Sequence, residues 1–329
     1  MKRSSIWSLM TLGVFVVEMV VFSAFTPGFL NLNNLLSSTN NFMAVGVMAL
    51  SMAFVIIAGG IDLSVGSMMS LCGMVFGVLW QHGMNVWLAA LIAILFGGLL
   101  GFINGQIIVR TGIQPLIATL ATLFIYGSIA MVISGQGQGS IYGFPQSFLL
   151  VGTGYLFGFA PIQLLVFIVL ALVFGFLLQR TSYGRRVIFI GNNENSAFYS
   201  GVAVARVKTW TYVVSGFTSG LAAILLGSYF ASVRGDMGLN FELTVITVCL
   251  VGGINVFGGS GNIFGVVVGT FILGMLQQGL NMLNVSSVEQ SIVTGVILIL
   301  AVGIQQLNVI FSRRRKPQAS SVKQVANVS

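Results

Sequence analysis

Long apolar runs, interrupted by short polar or glycine-rich breaks, account for most of the chain. A helix that spans a bilayer needs about 20 predominantly apolar residues. Runs of that order fall at 7–25, 41–58, 63–80, 87–109, 115–134, 161–179, 210–230, 242–258, 262–281 and 290–307. Within each run the apolar residues are continuous and do not alternate with polar ones, so the pattern predicts helices and not outer-membrane strands. The third run is the weakest: its core after Gly66 is short, and only Gly59-Gly60-Ile61-Asp62 separates it from the second. No polar stretch is long enough to fold as a second domain. The expectation is an all-α membrane protein of about ten transmembrane helices, some broken by glycine, in one polytopic domain over 1–312. Residues 313–329 form a basic tail expected to lie disordered in the cytoplasm.

Composition identifies the solvent. Of 329 residues, 56% are hydrophobic and only 6% charged, and mean hydropathy is +1.01. An ordinary soluble domain is about one quarter charged, and so few charges could not cover a soluble surface of this size. A cytosolic enzyme, a disordered chain and a disulfide scaffold are excluded. The two cysteines, Cys72 and Cys249, lie inside apolar runs, where each reads as a small buried hydrophobe.

The net charge of +8 invites a nucleic-acid reading, but the placement of the charges argues against one. With the N-terminus inside, ten crossings put Lys2, Arg3, Arg110, Arg180, Arg185, Arg186, Arg206, Lys208, Arg313, Arg314, Arg315, Lys316 and Lys323 on the cytoplasmic side. Of the 14 basic residues only Arg234 falls outside, as the positive-inside rule expects of an inner-membrane protein. If 63–80 did not cross, the cluster from Arg180 to Lys208 would flip outward. Both ends are therefore expected in the cytoplasm. The first run lacks a small-x-small cleavage pattern and reads as a retained anchor.

Glycine pairs at i, i+4, among them Gly101/Gly105 and Gly216/Gly220, read as faces for close helix packing. Two clusters differ because they interrupt spans: Gly59–Ser67 and Gly252–Asn262. Both begin Gly-Gly-Ile, continue with Asp62 or Asn255, and suggest a repeated element. Helix ends and freed amides at such breaks are candidates for binding a neutral polar solute. Asp62 has two readings, a cap or gate for the following helix, or direct solute contact. Glu18 has no evident partner in the sequence, and His82 reads as a surface residue of a short external turn.

Several engines are missing. No lysine follows a glycine at Walker A spacing, no cluster has metal-ligand spacing, and the single histidine, His82, excludes a Ser/His/Asp set. No catalytic residue, cofactor or metal is expected. Ionisable residues in the runs are few, which weakens the case for a self-sufficient ion-coupled carrier or facilitator without removing it as the alternative. The segment 180–208 holds more than a topology signal. Gly184 and Gly191 read as turns, Asn192–Asn195 as a polar start, and Glu194–Ser200 as a short amphipathic helix suited to docking a soluble partner.

Four motifs in order resemble a known family. They are Gly59-Gly60-Ile61-Asp62-Leu63-Ser64-Val65-Gly66-Ser67; Gly101-x-x-Asn104-Gly105 followed by Pro115-Leu116-Ile117-Ala118-Thr119-Leu120; Gly184-Arg185 with Ile190-Gly191-x-Asn193 and Ser200-Gly201-Val202; and Gly252-Gly253 with Gly258-Gly259-Ser260-Gly261. Over about residues 25–305 the chain resembles the sugar-type permease subunits of bacterial ABC importers, the ribose and autoinducer-2 class, related to branched-chain amino-acid permeases. The resemblance implies a non-catalytic inner-membrane subunit that pairs with a second permease chain, the same or a sister. It also implies a docked ABC ATPase and a periplasmic solute-binding protein that delivers a neutral sugar. Asp62, Ser64, Asn104 and Asn255 then become candidates for the translocation path. Gly184, Arg185, Gly191, Asn193, Ala197 and Gly201 become candidates for the ATPase coupling loop. Ser196-Ala197-Phe198 departs from the paired alanines usual there. The segments Asn31–Leu36 and Leu276–Leu280 look closest to the autoinducer-2 type.

Overall fold

The computed structural model describes residues 3–135 and 139–314. The rest of the basic tail expected from 313 onward, beyond Arg314, lies outside the described residues. The chain is overwhelmingly helical. In order, the helices are α1 (Arg3–Phe25), α2 (Leu32–Ser38), α3 (Met43–Ile57), α4 (Val65–Gln81), α5 (Val86–Thr111), α6 (Pro115–Ile133) and α7 (Gln146–Thr153). They continue with α8 (Ile162–Arg180), α9 (Ser182–Asn192), α10 (Glu194–Tyr199), α11 (Val204–Tyr229), α12 (Phe241–Val251), α13 (Ile263–Met282) and α14 (Ser287–Arg314). Two antiparallel ribbons interrupt the helices. One pairs β1 (Ser140–Tyr142) with β4 (Ser232–Arg234), the other β2 (Tyr155–Leu156) with β3 (Ala160–Pro161).

Each of the ten apolar runs contains one helix, of 11 residues or more: α1, α3, α4, α5, α6, α8, α11, α12, α13 or α14. Among the described residues, six are long and apolar enough to cross a membrane, namely α5, α6, α8, α11, α13 and the Ser287–Gln306 part of α14. A seventh arises if Leu32–Asn41 and Met43–Ile57, bent by 59°, count as one span. The apolar parts of α1, α4 and α12 are shorter. The run 242–258 is not one helix. It stops at Val251, because Gly253 takes φ +85° and the N–H groups of Gly253 and Ile254 turn back to the carbonyls of Leu250 and Cys249. The run 210–230 is longer than its apolar core, since α11 begins at Val204 and carries Arg206 and Lys208 in its first turns.

Burial sorts the helices into layers. Every residue of α3 is buried, so it is the central helix, apolar on all sides. By contrast α6, α8 and α14 expose Phe124, Leu172, Phe176 and Ile299, an outward apolar face that a bilayer solvates. The closest large contact is α5 against α11, where glycines remove the side chains between two backbones. A Cβ on Gly101 would collide with the Tyr212 carbonyl, and one on Gly216 with the Gly97 carbonyl. Here glycine acts as packing glue.

Helix α11 spans 26 residues, about 39 Å at 1.5 Å per residue. At its C-terminal end β4 pairs with β1, so the segments following α6 and α11 share that end. At its N-terminal end lie α9 and α10, with the breaks after α3 and α12.

Candidate functional site

The candidate residues form two constellations near the α9 end of the bundle. The first surrounds Asp62, three residues after the positive-φ Gly59. Its Oδ1 accepts from the Ser64 N–H at 3.0 Å and the Ser64 hydroxyl at 2.6 Å, and its Oδ2 accepts from the Ser215 hydroxyl of α11 at 2.9 Å. Asn104 of α5 donates to Ser64 Oγ at 2.7 Å, and its own Oδ1 accepts from the Tyr126 hydroxyl of α6 at 3.1 Å. Thr119 of α6 donates to the Ile61 carbonyl and accepts from the Leu63 N–H, each at 3.2 Å. Asp62, Ser64 and Ser215 are wholly buried and Asn104 is 1% exposed.

Asp62, Ser64 and Asn104 therefore belong to one network that draws on α5, α6 and α11. Every carboxylate oxygen is hydrogen-bonded, so the burial is supported by donors that strengthen in a low-dielectric interior. Asp62 does not cap α4 as a helix N-cap does. Ser64 holds that position, and Asp62 closes a turn on the N–H two residues ahead. Asn255 lies apart. It closes its own turn, donating to the Gly258 carbonyl at 2.8 Å and accepting from the Phe257 N–H at 3.2 Å. The amides at both breaks are also occupied: Gly59 and Gly60 donate to Ile56 and Val55, and Gly258 donates to Asn255.

The second constellation joins the breaks to α9 and α10. The Gly259 N–H donates to the Ile57 carbonyl at 2.9 Å, and Asn192 Nδ2 donates to the Gly259 carbonyl at 3.0 Å. Gly191 lies between them, and a Cβ there would collide with both the Ile57 carbonyl and the Gly259 nitrogen. Gly184 and Gly191 are not turns, as the sequence suggests, but helical residues of α9. Both are small because backbones close over them. Gly184 faces the carbonyls of Leu177 and Leu178.

Asn193 ends α9 and caps α10, accepting from the Ser196 N–H at 2.8 Å. Gly201, at φ +79°, ends α10, and the Gly201 and Val202 N–H groups return to the Phe198 and Ala197 carbonyls. Ala197 is fully buried against the protein's own interior, whereas Arg185 is exposed. Lys208 Nζ and Glu194 Oε2, 2.6 Å apart, tie α10 to α11.

Residues that the sequence did not put forward for the path or the coupling loop complete both groups. Tyr126, Ser215 and Thr119 finish the Asp62 network. Phe198 and Tyr199, 66% and 86% exposed with ring centroids 5.6 Å apart, form an aromatic tip on α10. The polar periodicity of Ser215, Thr218 and Ser219 in an apolar helix was a legible signal for the first group. The adjacent aromatics in a polar loop were one for the second.

A polytopic apolar bundle, with broken helices gathered at one end and a short amphipathic hairpin docked on them, defines a transport component. A family model described as "Branched-chain amino acid transport system / permease component" matches residues 34–302, and the chain belongs to that family. It is 40% identical over 300 residues to the autoinducer 2 import system permease protein LsrD of Escherichia coli (strain K12), covering 90% of this chain and 91% of that one. The protein of the same name from Shigella flexneri matches to the same extent. No solved structure matches. The chain is thus a permease subunit of an ABC-type importer, a non-catalytic transport component of the bacterial inner membrane. Membership of an import system implies ATPase and binding-protein partners.

Proposed function

We propose that this permease carries a neutral polar solute, a monosaccharide or an autoinducer-2-like sugar derivative. Two observations support the solute class. The relatives named above are autoinducer 2 permeases. Asp62, the one acidic residue buried as a whole among the described residues, is satisfied by Ser64 and Ser215, which leaves no free charge there for an ionic solute.

In this reading the chain crosses the membrane ten times, with both ends in the cytoplasm. Support comes from the agreement of ten helices with ten apolar runs and from the separation of α9–α10 and the β1–β4 ribbon to opposite ends of α11. The hairpin α9–α10 then faces the cytoplasm and receives the ATPase, while the binding protein docks at the other end. A second permease chain, the same or a sister, completes the pore. Asp62, Ser64 and Asn104 border the path, and Asn255 shapes the second break. Gly184, Arg185, Gly191, Asn193, Ala197 and Gly201 shape the coupling hairpin.

The observation that carries this account is the seating of Gly191 against Ile57 and Gly259, which joins the hairpin to both broken segments without a side chain between them. Uptake of labelled solute by whole cells tests it. An ATP-driven permease continues to import when an uncoupler collapses the ion gradient with ATP maintained, and stops when its ATPase is deleted. A secondary carrier behaves the opposite way.

A further inference from the structure

Helices α5 and α11 leave a groove of about 700 Å³ on their outer face, within the ~300–1,000 Å³ typical of ligand sites. One end is basic, holding Arg110 from the last turn of α5 and Arg206 from the first turn of α11. Neither arginine has a carboxylate within 4.0 Å among the described residues. The nearby Glu194 is already paired with Lys208. An arginine in the first turn of a helix also opposes the helix dipole. Here nothing offsets it, since the first turn of α11 has no acidic residue and Ala203 supplies no capping side chain. Two cations and an uncapped helix start thus line the same groove, with no carboxylate within 4.0 Å of either arginine among the described residues.

Away from this end the lining becomes apolar, reaching Leu99 and Leu95 on α5 and Phe217 on α11. From Arg110 back to Leu95 is fifteen residues of helix, about 22 Å. One leaflet with its headgroup layer has about that depth, half of a 40–45 Å bilayer. Trp210, 52% exposed, lines the groove one turn from Arg206, the level at which indole rings favour the membrane–water boundary. Charge, depth and aromatic placement agree on one occupant.

We propose that this groove is a binding site for an anionic phospholipid, its phosphodiester held by Arg110 and Arg206 and one acyl chain laid along Leu99 and Leu95. Planar guanidinium groups suit a phosphate oxygen pair, and basic pockets between membrane helices are suited to anionic headgroups.

The test uses the full-length permease extracted in mild detergent. Bound lipid is quantified by mass spectrometry, and thermal unfolding is followed with added phosphatidylglycerol, phosphatidylethanolamine or inorganic phosphate. Wild-type protein should retain phosphatidylglycerol above its share of the membrane, and that lipid alone should raise the unfolding midpoint. The double variant Arg110→Gln/Arg206→Gln should retain at least fivefold less and lose the shift, with an unchanged midpoint in phosphatidylethanolamine. Arg110→Lys/Arg206→Lys should keep most of the binding. Leu99→Trp, which fills the apolar part and spares both arginines, should lose lipid as the glutamine pair does. Equal retention by the glutamine variant overturns the proposal, as does an equal shift with phosphatidylethanolamine. An equal shift with inorganic phosphate also overturns it, by assigning the site to a free anion.

Discussion

The Gly259 N–H donates to the Ile57 carbonyl at 2.9 Å, joining two segments that lie some two hundred residues apart in the chain. Both segments are glycine-interrupted, and Gly191 of α9 packs against this same bond. A displacement of α9 therefore reaches the end of α3 and the break after α12 together. Gly191→Ala is expected to lower uptake at least tenfold and Gly191→Val to abolish it, with normal amounts of protein in the membrane. Gly295→Ala is the control, because nothing lies within 4 Å of its added methyl group. Uptake and immunoblotting of membrane fractions check both.

The Asp62 network makes a graded prediction. A hydrogen bond to a charged group contributes about 1.5–3 kcal/mol, and a buried partner left unmade costs a similar amount. Ser215→Ala removes the partner of Asp62 Oδ2 and should cost about 2 kcal/mol. Asp62→Ala strands Ser64 and Ser215 at once and should cost more, while Asp62→Asn retains shape and should cost least. The order of thermal unfolding midpoints in detergent measures this directly. All three variants should also lower uptake.

Close packing of α5 on α11 predicts a failure of assembly rather than of transport alone. Gly101→Leu and Gly216→Leu each drive a side chain into opposing backbone, which cannot move away as a flexible side chain can. Both variants should be degraded or should elute as aggregates. Size-exclusion chromatography of the extracted protein separates this from an inserted but inactive permease.

Topology is open to labelling. Cys72 and Cys249 are fully buried, so the native background is expected to be unreactive to an impermeant thiol reagent. A cysteine at Asn193 should be labelled only from the cytoplasm, and one at Tyr142, 73% exposed beside β4, only from outside. Labelling of Asn193 from outside would sink the ten-crossing arrangement.

What the sequence made legible follows from solvent and period. Apolar runs placed the long helices, because twenty apolar residues have few alternatives in lipid. The short helix α10 was legible in the polar start at Asn192–Asn195, where Asn193 caps it through a local contact. The rest depended on distant partners. Gly184 and Gly191 looked like turns because glycine marks both turns and close approach, and nothing near Gly191 in sequence announces the Ile57 carbonyl. The break at Gly252 was legible in its glycine cluster, but Val256 and Phe257 carried the apolar run on to 258, past the point where Gly253 reverses the chain. Ser215 stands in a readable polar row of its helix, but its partner Asp62 lies 153 positions away, and a single sequence does not pair the two.

Energy is expected to enter this subunit through α10. Phe198 and Tyr199 project beside the charged Lys208–Glu194 pair, where an exposed aromatic cluster calls for a protein partner. A photoreactive amino acid placed at Tyr199 in living cells measures this most directly, with the same group at Phe157 as the control for the opposite end. A covalent adduct with an ATP-binding subunit is expected at Tyr199 and none at Phe157. Loss of that ATPase from the purified permease is also expected when both aromatics are changed to serine. Sustained ATP-driven uptake by the double serine variant, with no ATPase adduct at Tyr199, would contradict this role of α10.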